Sequence, residues 1–218
     1  LSNLLSDVCD EVYNLTPVIN NEMINKNEPT GTTLTSRAKI LTALCAKNLE
    51  ANLGFLGNGQ ESSIMRSVLG VTGVVTDLGG RPMVNLKGEH SLRSATDTIE
   101  EFFSTENGKG FNVLYDRLTL PQYHIGMKRG PIPILIALVL RNHRETAVIV
   151  RDDEEQPIDK STLEDIDSSP ASFVLKIVDW NEGKAAYVNA LGRVFGKENG
   201  DCDRAEVADL ARSWFVSL

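Results

Sequence analysis

Tyr123-His124-Ile125-Gly126-Met127-Lys128-Arg129-Gly130-Pro131-Ile132-Pro133-Ile134-Leu135-Ile136-Ala137-Leu138-Val139-Leu140 joins a polar, glycine-punctuated loop with two adjacent cations to the most apolar segment of the chain. Gly126 and Gly130 allow backbone angles with φ > 0, and Pro131 and Pro133 suit the first turn of a helix, where a missing N–H costs little. Nothing breaks the pattern before Arg141-Asn142-His143-Arg144. The spacing therefore predicts a short helix that is apolar all round, the kind that is buried in a core. About ten residues are too few to span a bilayer, which takes roughly 20.

Working outward, helical spacing recurs at Leu92, Ala95, Ile99, Phe102 and Phe103, and at Phe111, Leu114, Tyr115 and Leu118. After the focal helix, Thr146 to Val150 reads as a β-branched strand. Asp152 to Glu155 then reads as a solvated turn, Gln156 to Ile158 as a short return, and Phe173 to Val178 as a further strand. Asp159 is positioned to cap a short helix between them. Three helices followed by a hairpin resemble a winged helix-turn-helix, so residues 91–180 are expected to form a winged-helix-like α+β subdomain.

Upstream, 1–75 reads as a helical subdomain. Leu4, Leu5, Val8, Cys9 and Val12 share a helical face, with Ser2 or Ser6 available as a cap. Thr16-Pro17 is a cap-then-proline start predicting a second helix with Val18, Ile19, Met23 and Ile24. Leu34, Ala38, Leu41 and Cys45 mark a longer helix, with Ile40 and Leu44 beside them, and Ile64, Met65, Val68 and Leu69 another. Residues 76–90 lie in a stretch with four glycines, one proline and no clear period between Thr72 and His90, and are read as a connecting loop. Residues 181–218 are expected to form a pair of amphipathic helices, the first with Val188, Leu191, Val194 and Phe195, the second with Val207, Leu210, Ala211, Trp214, Phe215 and Leu218. The fold class is α+β and mainly helical.

With 218 residues there is length for a real hydrophobic core. A net charge of −8 argues against an all-over nucleic-acid binder, because phosphate binding needs a positive face. Cys9, Cys45 and Cys202 are far apart in sequence and read as reduced, which suits a cytoplasmic protein. No basic start followed by an apolar run marks a signal peptide. A chain beginning at Leu1 and ending in an apolar helix at Leu218 is expected to be part of something longer.

Gly54-x-x-Gly57-x-Gly59 is followed by Gln60-Glu61, whereas a phosphate-binding loop needs Lys then Ser or Thr there. A dinucleotide fingerprint also fails, for want of a preceding strand. The acid run Asp152 to Glu155 has no matching ligand at useful spacing, and His90, His124 and His143 form no zinc pattern with the cysteines. No catalytic, cofactor-binding or metal-ligating residue is assigned, and the fragment itself is not expected to be an enzyme. A DNA reader would need a polar, basic third helix. Ile134 to Leu140 cannot supply one, and the wing tip is acidic, so protein contact is favoured over DNA binding. Lys128 and Arg129, beside a helix N-terminus, are the candidate contact for a partner or an anion.

The run Leu118-x-x-Pro121-x-Tyr123-x-Ile125-Gly126-x-Lys128-x-Gly130-x-Ile132-Pro133-Ile134-Leu135 resembles a proline–tyrosine–glycine–basic–glycine–proline signature of large bacterial P-loop ATPases of phage-defence and genome-conflict systems, BREX-type ATPases among them. Pro17-Val18-Ile19-Asn20-Asn21-Glu22-Met23-Ile24-Asn25 and Val68-Leu69 through Gly73 are similar to two further segments of these proteins. The chain departs from the pattern at Gln122, where a second proline is usual, and in lacking a tryptophan between Thr96 and Phe103. It also has no Walker A motif. The resemblance thus implies an accessory region outside the nucleotide-binding core, with ATP and Mg²⁺ belonging to a longer chain. Its implied role is a non-catalytic, regulatory protein-interaction segment of an antiviral ATPase. Its partners would be other domains or subunits of a complex, with no membrane. The alternatives are a DNA-binding winged-helix module and an enzyme of unrecognised type.

Overall fold

A computed structural model describes residues 2–197 and 201–216, with side chains from residue 6 onward. The face read through Leu4 and Leu5, and the terminal Leu218, lie outside the described side chains. The apolar stretch forms a helix over Ile132–Leu140, and all nine of its residues are buried. In chain order the helices are α1 (Ser2–Val12), α2 (Gly31–Cys45), α3 (Gln60–Met65), α4 (Arg93–Thr105), α5 (Phe111–Thr119), the apolar α6 (Ile132–Leu140) and α7 (Lys160–Ser168). The last two helices are α8 (Glu182–Val194) and α9 (Arg204–Val216). With about 52% helix and two small antiparallel sheets, the fold is α+β.

α6 packs against α2, α4 and α7. Contacts on several sides explain why it carries no polar residue: each buried Leu, Ile or Val contributes roughly 1.5–3 kcal/mol, and any water-facing position would waste it. The core is one continuous cluster from Ile19 to Leu175, drawing on the helices on either side of residues 76–90. Phe102, Phe103 and Phe111 meet within it at ring separations of 5.4–6.0 Å, near edge-on geometries that aromatic quadrupoles favour.

The stretch 76–90 is more ordered than its lack of period suggests. β1 (Val75–Thr76) and β2 (Met83–Val84) pair there as an antiparallel hairpin. The larger sheet has the order β3-β6-β4-β5, built from β3 (Lys109–Gly110), β4 (Ala147–Arg151), β5 (Glu154–Gln156) and β6 (Val174–Ile177). The turn between β4 and β5 is tighter than expected. Arg151 pairs with Glu154, leaving Asp152 and Asp153 as a two-residue loop. Both have positive φ, 51° and 64°, which such a hairpin turn demands and Asp tolerates. The return strand is therefore Glu154–Gln156 rather than Gln156 to Ile158.

Thr30 caps α2, Asp159 caps α7 and Asn181 caps α8, each side chain accepting from a backbone N–H three residues on. The helix expected after Thr16-Pro17 does not form. Asn21 Oδ1 accepts from the amides of Met23 and Ile24 at 3.1 and 3.4 Å, and Asn25 Nδ2 donates to the Ile19 carbonyl at 3.2 Å. These side chains give the backbone a turn instead of a helix, while Ile19 and Ile24 still reach the core. Cys9 also departs from expectation, being exposed, whereas Cys45 is half-buried and Cys202 buried; all three are free thiols. Burial pushes the Cys45 thiol up to about 11, partly offset by Arg144.

Candidate functional site

The loop before α6 is held by the N-terminal segment crossing it. Leu15 N donates to the His124 carbonyl at 3.1 Å, Met127 N to Leu118 O at 2.8 Å, and Gly130 N to Lys26 O at 2.8 Å. His124 and Gly126 both take left-handed backbone, with φ of 64° and 59°. At Gly130 the need is for space. A β-carbon there would lie 1.9 Å from the Ile24 carbonyl oxygen, so only glycine lets the two backbones touch.

The two cations have different fates. The Arg129 guanidinium contacts the Asp167 backbone carbonyl, lies 3.5 Å from its carboxylate, and sits 5.1 Å over the Tyr115 ring. Its own amide donates to Asn27 Oδ1 at 3.3 Å. Asp167 is also the partner of Arg37, whose Nη1 approaches Oδ2 at 2.8 Å and the Gly130 carbonyl at 3.3 Å. Arg37, Tyr115, Arg129 and Asp167 thus clamp α2, α5, the loop and α7 together. Burial, and then the Asp167 charge, push the Tyr115 phenol well above its ordinary range. Lys128 is exposed, and its ammonium has no hydrogen bond or ion pair among the described residues.

Lys128 and Arg129 line an open cleft of about 690 Å³ together with Asp10 of α1, Tyr13 just after it, Asn27 and Met127. Such an arrangement can hold an anion or an acidic side chain on Lys128 while Asp10 selects against a second negative group. Cys9 also lines the cleft, and no histidine does. His90 Nε2 meets Leu86 O at 3.3 Å and His124 Nδ1 meets Val12 O at 2.8 Å. His143 stacks on Phe103 with Nε2 3.1 Å from Glu100. Each histidine therefore serves a separate contact, and among the described residues no group of three or more metal-ligating side chains converges.

The glycine loop at 54–59 leads into α3, where Glu61 is 3.3 Å from Lys39. Its own backbone amide and then Lys39 hold its carboxyl below the usual range. A carboxylate on a helix N-terminus occupies the place where a phosphate would bind. The Arg37–Asp167 pair escaped sequence reading. Its signal was a charge among the apolar positions of α2, one turn from Ile40 and Leu41; the matching acid on α7 becomes visible only when the two helices meet. Among the described residues no helix is long and apolar enough to cross a membrane. Comparison of the chain with protein-family models, with curated proteins and with solved structures finds no match.

Proposed function

We propose that this chain is a non-catalytic accessory or regulatory segment of a larger cytoplasmic ATPase in antiviral defence, acting through protein–protein contact. One observation carries the contact role: Tyr187, Val194, Phe215 and Val216 on α8 and α9 are 65%, 73%, 69% and 88% exposed. Exposed apolar side chains on one helical pair are the kind of surface that a protein contact would cover, which supports this reading. The link to an ATPase rests on the resemblance of the 118–135 and 17–25 segments, and the partner is another domain or subunit of that complex.

The reading extends to a winged-helix-like unit over 91–180. Its support is the order α4, β3, α5, α6, β4, β6 with β6 between β3 and β4 in the sheet, β5 and α7 being inserted. Because α6 is buried at every position, this unit offers no recognition helix to a major groove.

Two measurements test the proposal. The purified 218-residue chain should turn over no ATP in the presence of Mg²⁺; steady hydrolysis would overturn the non-catalytic assignment. Val194→Asp with Phe215→Asp should abolish co-purification with the remainder of the ATPase at unchanged thermal stability. Undiminished co-purification would remove α8 and α9 from the contact.

A further inference from the structure

A second cleft, of about 400 Å³, lies between the C-terminal end of α2 and the β1–β2 hairpin, lined by Lys47, Arg81 and Arg141 with Leu49, Pro82 and Val84. Among the described residues no carboxylate lines it, although acids outnumber bases 30 to 22 in the chain. A positive cleft in a negative protein concentrates anions.

Its three cations are held differently. Arg141 donates from Nη1 to the Leu44 and Ala46 carbonyls at 2.5 and 2.6 Å, and from Nη2 to Lys47 O at 2.8 Å. Those carbonyls end α2 and would otherwise repel an anion. Burial, and then the neighbouring Arg144, lower the Arg141 pKa, a crowding of positive charge that an anion relieves. Lys47 shares its charge with Glu206 at 3.0 Å. Arg81 is exposed, and its guanidinium has no partner among the described residues.

The frame is preset. Asn52 N donates to Leu78 O at 2.6 Å, tying the hairpin loop to the turn after α2. Within that turn Asn52 and the buried Leu53 both hold positive φ, 49° and 53°. Positive φ at two non-glycine residues marks a turn whose backbone is fixed by its surroundings.

We propose that this cleft binds a small phosphate-bearing anion, with Arg81 as its principal free contact and Arg141 behind it. A volume of about 400 Å³ falls in the range of roughly 300–1,000 Å³ typical of small-ligand sites. The assignment is independent of the ATPase reading.

Calorimetric titration of the full chain at low salt, with inorganic phosphate, pyrophosphate and phenyl phosphate as probes, tests it. Saturable binding is expected, weakened about tenfold by Arg81→Ala, the loss of one charge-assisted contact. Thermal unfolding should be unchanged, and Lys128→Ala, in the other cleft, should bind as wild type. Phenyl phosphate binding more tightly than inorganic phosphate would identify an organic phosphate resting on Leu49, Pro82 and Val84. Equal affinity would identify free phosphates, and either result carries the assignment. Absence of saturation at millimolar probe, equal losses in the Arg81 and Lys128 variants, or displacement of the probes by duplex DNA would each overturn it.

Discussion

Gly130 sits at a close crossing of two backbones, where its amide meets Lys26 O and an added β-carbon would collide with Ile24 O. Gly130→Ala should therefore cost about 3 kcal/mol or more, since neither backbone can retreat. At Gly31 no atom lies within 4 Å of the added carbon. Alanine there should be neutral or stabilising by up to about 1 kcal/mol, through a less flexible unfolded chain. Urea denaturation of the two variants checks the contrast, and equal stabilities would show that the loop can move away from the N-terminal segment. Lys128 and Arg129 are adjacent in sequence but unlike in role. Arg129 is bound up with Asp167 and Tyr115, while Lys128 alone stays available.

Between elements, the Arg37–Asp167 pair joins α2 to α7, its side chains 4% and 14% exposed. Removing one partner leaves a buried charge. Asp167→Ala should cost about 3–5 kcal/mol, whereas Arg37→Met with Asp167→Leu should cost much less, because an apolar pair needs no compensation. A double-mutant cycle by urea unfolding measures this, and additive losses would mean the pair does not couple. Helix identities were legible because most follow the 3.6-residue period: α6 by its unbroken apolar run, α2 and α4 by their faces. β3 was not, since two residues carry no period and exist as a strand only by pairing with β6. The expected helix at Thr16 failed for a local reason, the competition of Asn21 and Asn25 for backbone groups.

At the scale of the whole molecule, α8 and α9 rest on the body through polar contacts. Glu206 receives Lys47 at 3.0 Å and Lys197 at 2.8 Å, and Arg204 reaches Glu155 at 2.6 Å. Lys197, helped by the Asp203 amide and Lys47, lowers the Glu206 carboxyl from its ordinary 4.5 to about 2. A depressed carboxylate stabilises the fold above its unfolded pKa, and that contribution is lost as pH falls through the folded one. The stability difference between the wild type and Glu206→Gln should accordingly be full above pH 4.5 and vanish towards pH 2. Thermal unfolding across that window checks it, and a difference that does not change with pH would exclude Glu206 as the anchor.

Sequence by itself determined the α+β class, the position and burial of α6, the helical pair read within 181–218 and the cap at Asp159. These depend on local periodicity and on side chains bonding their own backbone, both of which are written in neighbouring residues. Tertiary structure alone decided which cation stays available, which glycine cannot be replaced, and that Lys47, Arg81 and Arg141 share one cleft. Those facts depend on residues separated by tens of positions in the chain, and charge or close approach acts through space rather than along the sequence.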